Sequence, residues 1–148
     1  MIDESAARMA EQPCFALYGT VNAITRAYRP LLDPLGLTYP QYVVMMLLWE
    51  HDEIDLRTLA ERARLDPATL TPIVKRLEQK DLLQRMRSTI DERRLVITVT
   101  AAGRELQERA RTVPDEMVCK VGITPDQAAT LQALCTQIVA TLAADGAS

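Results

Sequence analysis

The stretch between residues 56 and 99 constrains this chain most: two short amphipathic segments almost back to back, then two β-like runs separated by a charged loop. Over 56–64, Leu56, Leu59, Ala60 and Ala63 fall on one helical face. A second helix follows within a few residues, with Asp66 as N-cap, Pro67 in the first helical position, and Leu70, Ile73, Val74 and Leu77 as its buried stripe. A short first helix, a tight connection at Arg64-Leu65-Asp66 and a second helix with one apolar face have the form of a helix-turn-helix. After Asp81 the pattern changes, and residues 82–87 and 95–99 read as two strands joined by 88–94, a β-hairpin with a charged tip.

The rest of the chain is helical by periodicity. A helix over 13–32 carries Leu17, Val21, Ile24, Tyr28 and Leu31 at three- and four-residue steps, opens on Pro13 and is stopped by Pro34 and Gly36. A second, over 40–50, is apolar nearly all round and is expected to be buried. Beyond the hairpin, Thr100 caps one long helix bearing Leu106, Ala110, Val113 and Met117. Thr124-Pro125-Asp126-Gln127 is a capping box opening a last helix with Leu131, Leu134, Cys135, Ile138 and Leu142 inward. The expected order is four helices, a hairpin and two helices, a mainly α chain. With 148 residues and 48% apolar content it is read as a single domain with a real core. The longest strictly apolar run, 43–49, is far short of a membrane span, and the acidic, polar N-terminus has no leader character. No membrane partner and a cytoplasmic setting are therefore expected.

A net charge of −3 argues against a nucleic-acid partner until its distribution is considered. Residues 57–94 hold ten Lys/Arg against six Asp/Glu, so the positive charge is concentrated around the helix pair and hairpin. On the second helix, Ala68, Thr69, Thr71, Pro72, Lys75 and Arg76 avoid the apolar stripe. Small and hydroxylated side chains allow close approach to base edges, and Lys75 and Arg76 reach phosphates. Pro72 demands either a bend or a helix that begins near Thr71. The alternative is an amphipathic helix with a solvated basic face. On the hairpin, Arg87, Asp91, Arg93 and Arg94 suit a ribbon reaching a minor groove, with Asp91 pairing with the Arg93 guanidinium to fix its direction. A charged loop that merely stays soluble is the competing reading.

Three cysteines, an odd number, fit a reducing compartment. Cys14 follows Pro13 in the first turn of a helix, where unpaired N–H groups and the macrodipole favour a thiolate; an inert, buried Cys14 is the alternative. Cys119 lies off its helix's apolar stripe, next to Lys120, whereas Cys135 falls within a stripe and reads as core. His51, the one histidine, sits among Glu50, Asp52 and Glu53 as a solvated helix end. No metal-ligand set, phosphate loop, nucleophile elbow or catalytic carboxylate pair is present, so no metal, cofactor or enzymatic activity is expected.

The run LAERARLDPATLTPIVKRLEQKDLLQRMRSTIDERRLVITVTAAG resembles the winged helix of the MarR family of bacterial repressors, whose D-x-R wing pattern is matched by Asp91 and Arg93. CFALYGTVNAITRAYRPLLDPLGLTYPQYVVMMLLWE is similar, more narrowly, to the organic hydroperoxide sensors of that family. The resemblance implies a winged helix-turn-helix over 53–100, with 13–38 and 101–148 as dimerisation helices, and a homodimer on double-stranded operator DNA. It implies that Cys14 is oxidised to sulfenic acid by an organic hydroperoxide, that Tyr28 and Tyr39 of the partner subunit hydrogen-bond the reduced thiolate, and that Cys119 resolves the sulfenic acid as an intersubunit disulfide. Oxidation would release the operator and derepress a peroxide-detoxifying gene. Two other functions stay open at this stage: a MarR-type repressor released by a small phenolic ligand, and a thiol peroxidase using Cys14.

Overall fold

A computed structural model describes residues 8–146 of the chain. They form two compact units, one running to Val113 and the other starting at Pro114. In the first unit a 3-10 turn over Met9–Glu11 leads into α1 (Pro13–Leu32), which is followed by a second 3-10 turn over Asp33–Leu35 and by α2 (Tyr39–Trp49). The chain reverses between them at Gly36, whose φ of 68° is left-handed and suits a residue without Cβ. A capping box starts α2: the Thr38 amide donates to Gln41 Oε1 at 3.1 Å and the Gln41 amide to Thr38 Oγ1 at 3.4 Å.

The all-round apolar character of α2 is explained by its place in the fold. Tyr42, Val44, Met45 and Leu48 are buried, and α1, α3 (Leu56–Ala63), α4 (Pro67–Gln79) and α5 (Ala101–Arg109) all pack against the helix. One core joins these side chains to Leu59, Leu70, Val74 and Leu77 from the helix pair and to Leu83 and Ile97 from the sheet.

The sheet contains one strand more than the hairpin alone. β1 (Glu53–Asp55) pairs antiparallel with β3 (Leu95–Val99) through Ile54 opposite Ile97, and β3 pairs with β2 (Leu83–Arg87), giving the order β1-β3-β2. A three-residue strand with a single apolar residue between two acids offers no alternation to read, which is why the sequence missed it.

The long helix expected after Thr100 is two helices, α5 and α6 (Val113–Val121). Pro114 has no amide to donate and its ring would collide with the Ala110 carbonyl, so the helix closes at Arg109 and restarts. Leu106, Ala110, Val113 and Met117 are nevertheless buried.

In the second unit, α7 (Pro125–Gly146) begins with the expected capping box, the Thr124 amide donating to Gln127 Oε1 at 2.9 Å and the Gln127 amide to Thr124 Oγ1 at 3.2 Å. Its stripe, however, does not point into a core. Leu131, Leu134, Ile138 and Leu142 are exposed, no described residue of α7 is buried, and Cys135 is half-buried rather than a core position. Periodicity identified the apolar face of this helix but carries no information about what covers it.

Gly103, near the start of α5, is the one glycine with no room for a Cβ. A Cβ there would overlap the Leu82 carbonyl oxygen and lie 2.6 Å from Val99 Cγ1. The same turn is held from the other side by Trp49 Nε1, which donates to the Gly103 carbonyl at 3.0 Å. Gly103→Ala is expected to lower stability in urea unfolding by about 1–3 kcal/mol through this overlap. Gly19→Ala, in α1 with open space around it, is expected to be neutral or to raise stability by ~0.5–1 kcal/mol.

Candidate nucleic-acid interface and thiol site

Helix α4 is placed by its N-cap. Asp66 Oδ1 accepts the Thr69 amide at 2.7 Å and Oδ2 accepts the Thr69 hydroxyl at 3.1 Å, while the Thr71 hydroxyl donates to the Pro67 carbonyl at 2.7 Å. The helix is continuous from Pro67, so it does not begin near Thr71. Pro72 withholds the amide that would meet the Ala68 carbonyl, and both residues lie on the exposed face of the helix. Ala68, Thr69, Pro72, Lys75 and Arg76 are exposed and Thr71 is half-buried, opposite the buried Leu70, Val74 and Leu77. The tight turn before α4 rests on Arg64, left-handed at φ 55°, with the Leu65 amide closing onto the Ala60 carbonyl at 3.0 Å.

The loop between β2 and β3 is internally bonded. Ser88 Oγ accepts the amides of Ile90 (3.2 Å) and Asp91 (3.3 Å); the Ser88 amide donates to the Arg94 carbonyl and the Arg94 amide to the Asp91 carbonyl, both at 2.9 Å. Asp91 does not pair with the Arg93 guanidinium as the sequence suggested. Its Oδ1 accepts the Arg93 backbone amide at 3.1 Å, an Asx turn, because a carboxylate two residues upstream reaches the amide with less chain ordering than the end of a long arginine. Arg87 spends its guanidinium on the Glu92 carbonyl at 3.0 Å, bracing the tip. The guanidinium of Arg93 has no hydrogen bond or ion pair among the described residues, and the Lys75 ammonium and Arg76 guanidinium on α4 are likewise uncommitted. An open cleft runs between the first turn of α3, Pro67 and the base of the loop, lined by Asp55, Arg57, Glu61, Arg93 and Arg94.

Two ties fix α4 to its surroundings, and the sequence reading singled out neither. Arg85 on β2 grips Glu78 through Nη2 at 2.7 Å, Nε at 2.8 Å and its own amide at 3.2 Å. Lys80 Nζ, just past the helix, donates to the Gly36 carbonyl and, at 3.1 Å, to Gln41 Oε1, the one buried polar side chain among the described residues. The opposite charges of Glu78 and Arg85 were the available signal, but spacing across a turn does not reveal which partner is met. His51, read as part of a solvated helix end, is half-buried with Nε2 at 2.6 Å from Arg62 Nη1.

Cys14 is exposed in the first turn of α1 and Cys119 is exposed on α6. Tyr28 and Tyr39, on different helices, stack with ring centroids 4.6 Å apart. Tyr42 lies 5.6 Å from Tyr28, and Trp49 stands edge-on to Tyr42 at 6.4 Å. Burial, with the neighbouring Tyr39, raises the Tyr28 hydroxyl, and burial beside the same two rings pushes Tyr42 up to about 12. Both therefore remain protonated donors at neutral pH. Among the described residues no group of side chains could hold a metal ion, and no helix is long and apolar enough to cross a membrane.

Backbone amides at the caps hold Asp55 and Asp66 below the usual carboxylate range, with Thr58 and Thr69 the largest contributors, and Arg85 does the same for Glu78. A depressed folded value means stability that is fully present above the unfolded value of about 4 and is lost as pH falls through the lower folded values. Urea unfolding followed by circular dichroism should thus show stability holding down to about pH 4 and declining below it as these contributions are lost. Asp66→Asn, which keeps an acceptor, should preserve the neutral-pH structure, and Asp66→Ala should fray the first turn of α4.

Residues 26–110 match the family described as transcriptional regulator SarA/Rot. The chain is 44% identical over 107 residues to the organic hydroperoxide resistance transcriptional regulator of Bacillus subtilis, covering 72% of this chain and 73% of that one. Among solved structures it is similar to AbfR, a Staphylococcus epidermidis protein. Reduced AbfR bound to DNA is matched with 30% identity, a TM-score of 0.78 and coverage of 94% and 97% of the two chains. Overoxidised AbfR bound to DNA is matched with 32% identity, a TM-score of 0.77 and coverage of 94% and 98%. With its helix pair, three-stranded sheet and charged hairpin loop, the chain belongs to the MarR-type winged-helix transcriptional regulators, in the branch that holds the organic hydroperoxide sensors.

Proposed function

We propose that the protein is a redox-sensing repressor, a homodimer that binds palindromic operator DNA when reduced and leaves it when Cys14 is oxidised by an organic hydroperoxide, derepressing a peroxide-detoxification gene. The observation that carries this reading is an exposed thiol in the first turn of α1, in a chain 44% identical to an organic hydroperoxide regulator. The Cys14 thiolate attacks the terminal peroxide oxygen; the O–O bond breaks, the alkoxide leaves as alcohol after taking a proton, and sulfenic acid remains. Cys119 of the partner subunit then displaces water from the sulfenic acid and forms a disulfide, a two-electron oxidation balanced by reduction of the hydroperoxide. Each dimer reacts stoichiometrically and does not turn over as a peroxidase.

Tyr28 and Tyr39 of the partner subunit support the reduced thiolate as hydrogen-bond donors, a role consistent with the pairing of the two rings within each chain. The DNA face consists of Ala68, Thr69, Thr71, Pro72, Lys75 and Arg76 on α4 and Arg87, Asp91, Arg93 and Arg94 on the wing, with Arg87 and Asp91 bracing the loop that presents Arg93. Dimerisation uses the apolar residues left exposed on α1 and α7, Phe15, Tyr18, Leu131, Leu134, Ile138 and Leu142 among them. A two-fold dimer needs half-sites about one helical turn apart, so a modest rigid-body change breaks several contacts together.

One equivalent of an organic hydroperoxide should convert the protein to a reductant-sensitive covalent dimer on a non-reducing gel, with intact mass reporting the bond. Cys14→Ser should remain unmodified and stay on operator DNA in peroxide; Cys119→Ser should oxidise without crosslinking. Release of Cys14→Ser by hydroperoxide would refute the assignment, and release only by a phenolic ligand would favour a ligand-responsive repressor. Arg93→Ala should weaken operator binding by about 1–3 kcal/mol while leaving the peroxide response in place.

A further inference from the structure

The wing tip carries one side chain that its charged neighbours do not explain. Ile90 is 97% exposed, the most exposed large apolar residue described, and it sits between polar residues in the loop that joins β2 to β3. Its backbone is not loose. The Ile90 and Asp91 amides share Ser88 Oγ, Arg94 closes the loop onto Asp91 and Ser88, and Arg87 ties the far side through the Glu92 carbonyl. The loop therefore holds a bulky aliphatic group in a set direction, beside an arginine whose guanidinium has no partner among the described residues. A β-branched side chain is already stiff at χ1, so little rotamer freedom is lost when it is inserted into a partner.

From this we infer that Ile90 is a specificity-determining residue for DNA: it enters the minor groove beside Arg93 and wedges against a base step, partly unstacking it. The inference rests on the wing reading given above. Arg93 supplies the attraction to the groove and Ile90 the deformation. Because pyrimidine–purine steps such as TA and CA/TG open most readily, each wing favours such a step in the operator flank without hydrogen-bonding any base there. The two-fold dimer applies the wedge once on each side.

The test uses full-length reduced protein and a duplex recovered by it from a random-sequence pool, with 2-aminopurine substituted singly through both flanks. At saturating protein, emission should rise several-fold at one step in each flank. Ile90→Ser should abolish the rise and Ile90→Leu should restore it, whereas Arg93→Ala should weaken binding yet keep the rise once saturated. Replacing the responsive step by AA should cost the parent several-fold in affinity and cost Ile90→Ser nothing. No bright position with the parent, or a rise that persists in Ile90→Ser, overturns the wedge. Unchanged affinity and salt dependence in Arg93→Ala would instead overturn the wing reading beneath it.

Discussion

Helix α2 has no polar face for solvent, and the first unit is organised around that constraint. Tyr42, Val44, Met45 and Leu48 must be covered on every side, and α1, α3, α4 and α5 supply the cover. At roughly 25 cal/mol per Å² of apolar surface, this shared burial is the dominant favourable term holding the helix pair and sheet together. The orientation of α4 follows from it, since Leu70, Val74 and Leu77 enter the same core and turn Ala68, Pro72, Lys75 and Arg76 outward. A change on α2 is therefore felt by α4 through the core they share.

Polar bonds refine what burial sets. The hydroxyls of Thr69 and Thr71 and the carboxylate of Asp66 are spent inside the first turns of α4, where they complete the helix start. Arg85 with Glu78 joins the far end of α4 to the sheet, and Lys80 with Gln41 joins it to the start of α2. In the wing, Ser88, Asp91 and Arg87 are likewise consumed by the loop itself. The side-chain cations of Lys75, Arg76 and Arg93 and the exposed Ile90 are not consumed in this way.

The thiols and the aromatic ladder stand differently. Cys14 and Cys119 gain exposure from their places on helices, and the pairing of Tyr28 with Tyr39 comes from α1 crossing α2, which brings residues eleven apart in number to 4.6 Å between ring centroids. Burial raises the hydroxyls of Tyr28 and Tyr42 further above the ordinary tyrosine value, so they stay protonated to higher pH than a free tyrosine. The exposed apolar stripe of α7 is surface that a single chain leaves open.

Much of this was legible in the amino-acid order. Local rules fix helix starts, so Pro13, Asp66, Thr100 and Thr124 mark observed helix beginnings, and the strand periods place β2 and β3 to within a residue. The exposed face of α4 and the sensor-like segment around Cys14 were readable for the same reason: periodicity and family likeness are properties of the sequence itself. Tertiary structure decided the rest. It added β1, which exists only because β3 offers Ile97 as the antiparallel partner of Ile54, and it split the helix at Pro114. It gave the Asp91 carboxylate an amide instead of a guanidinium, and moved Cys135 out of any core. Each of these depends on which groups meet in space, and the energy of a contact between distant residues is not written in either residue alone.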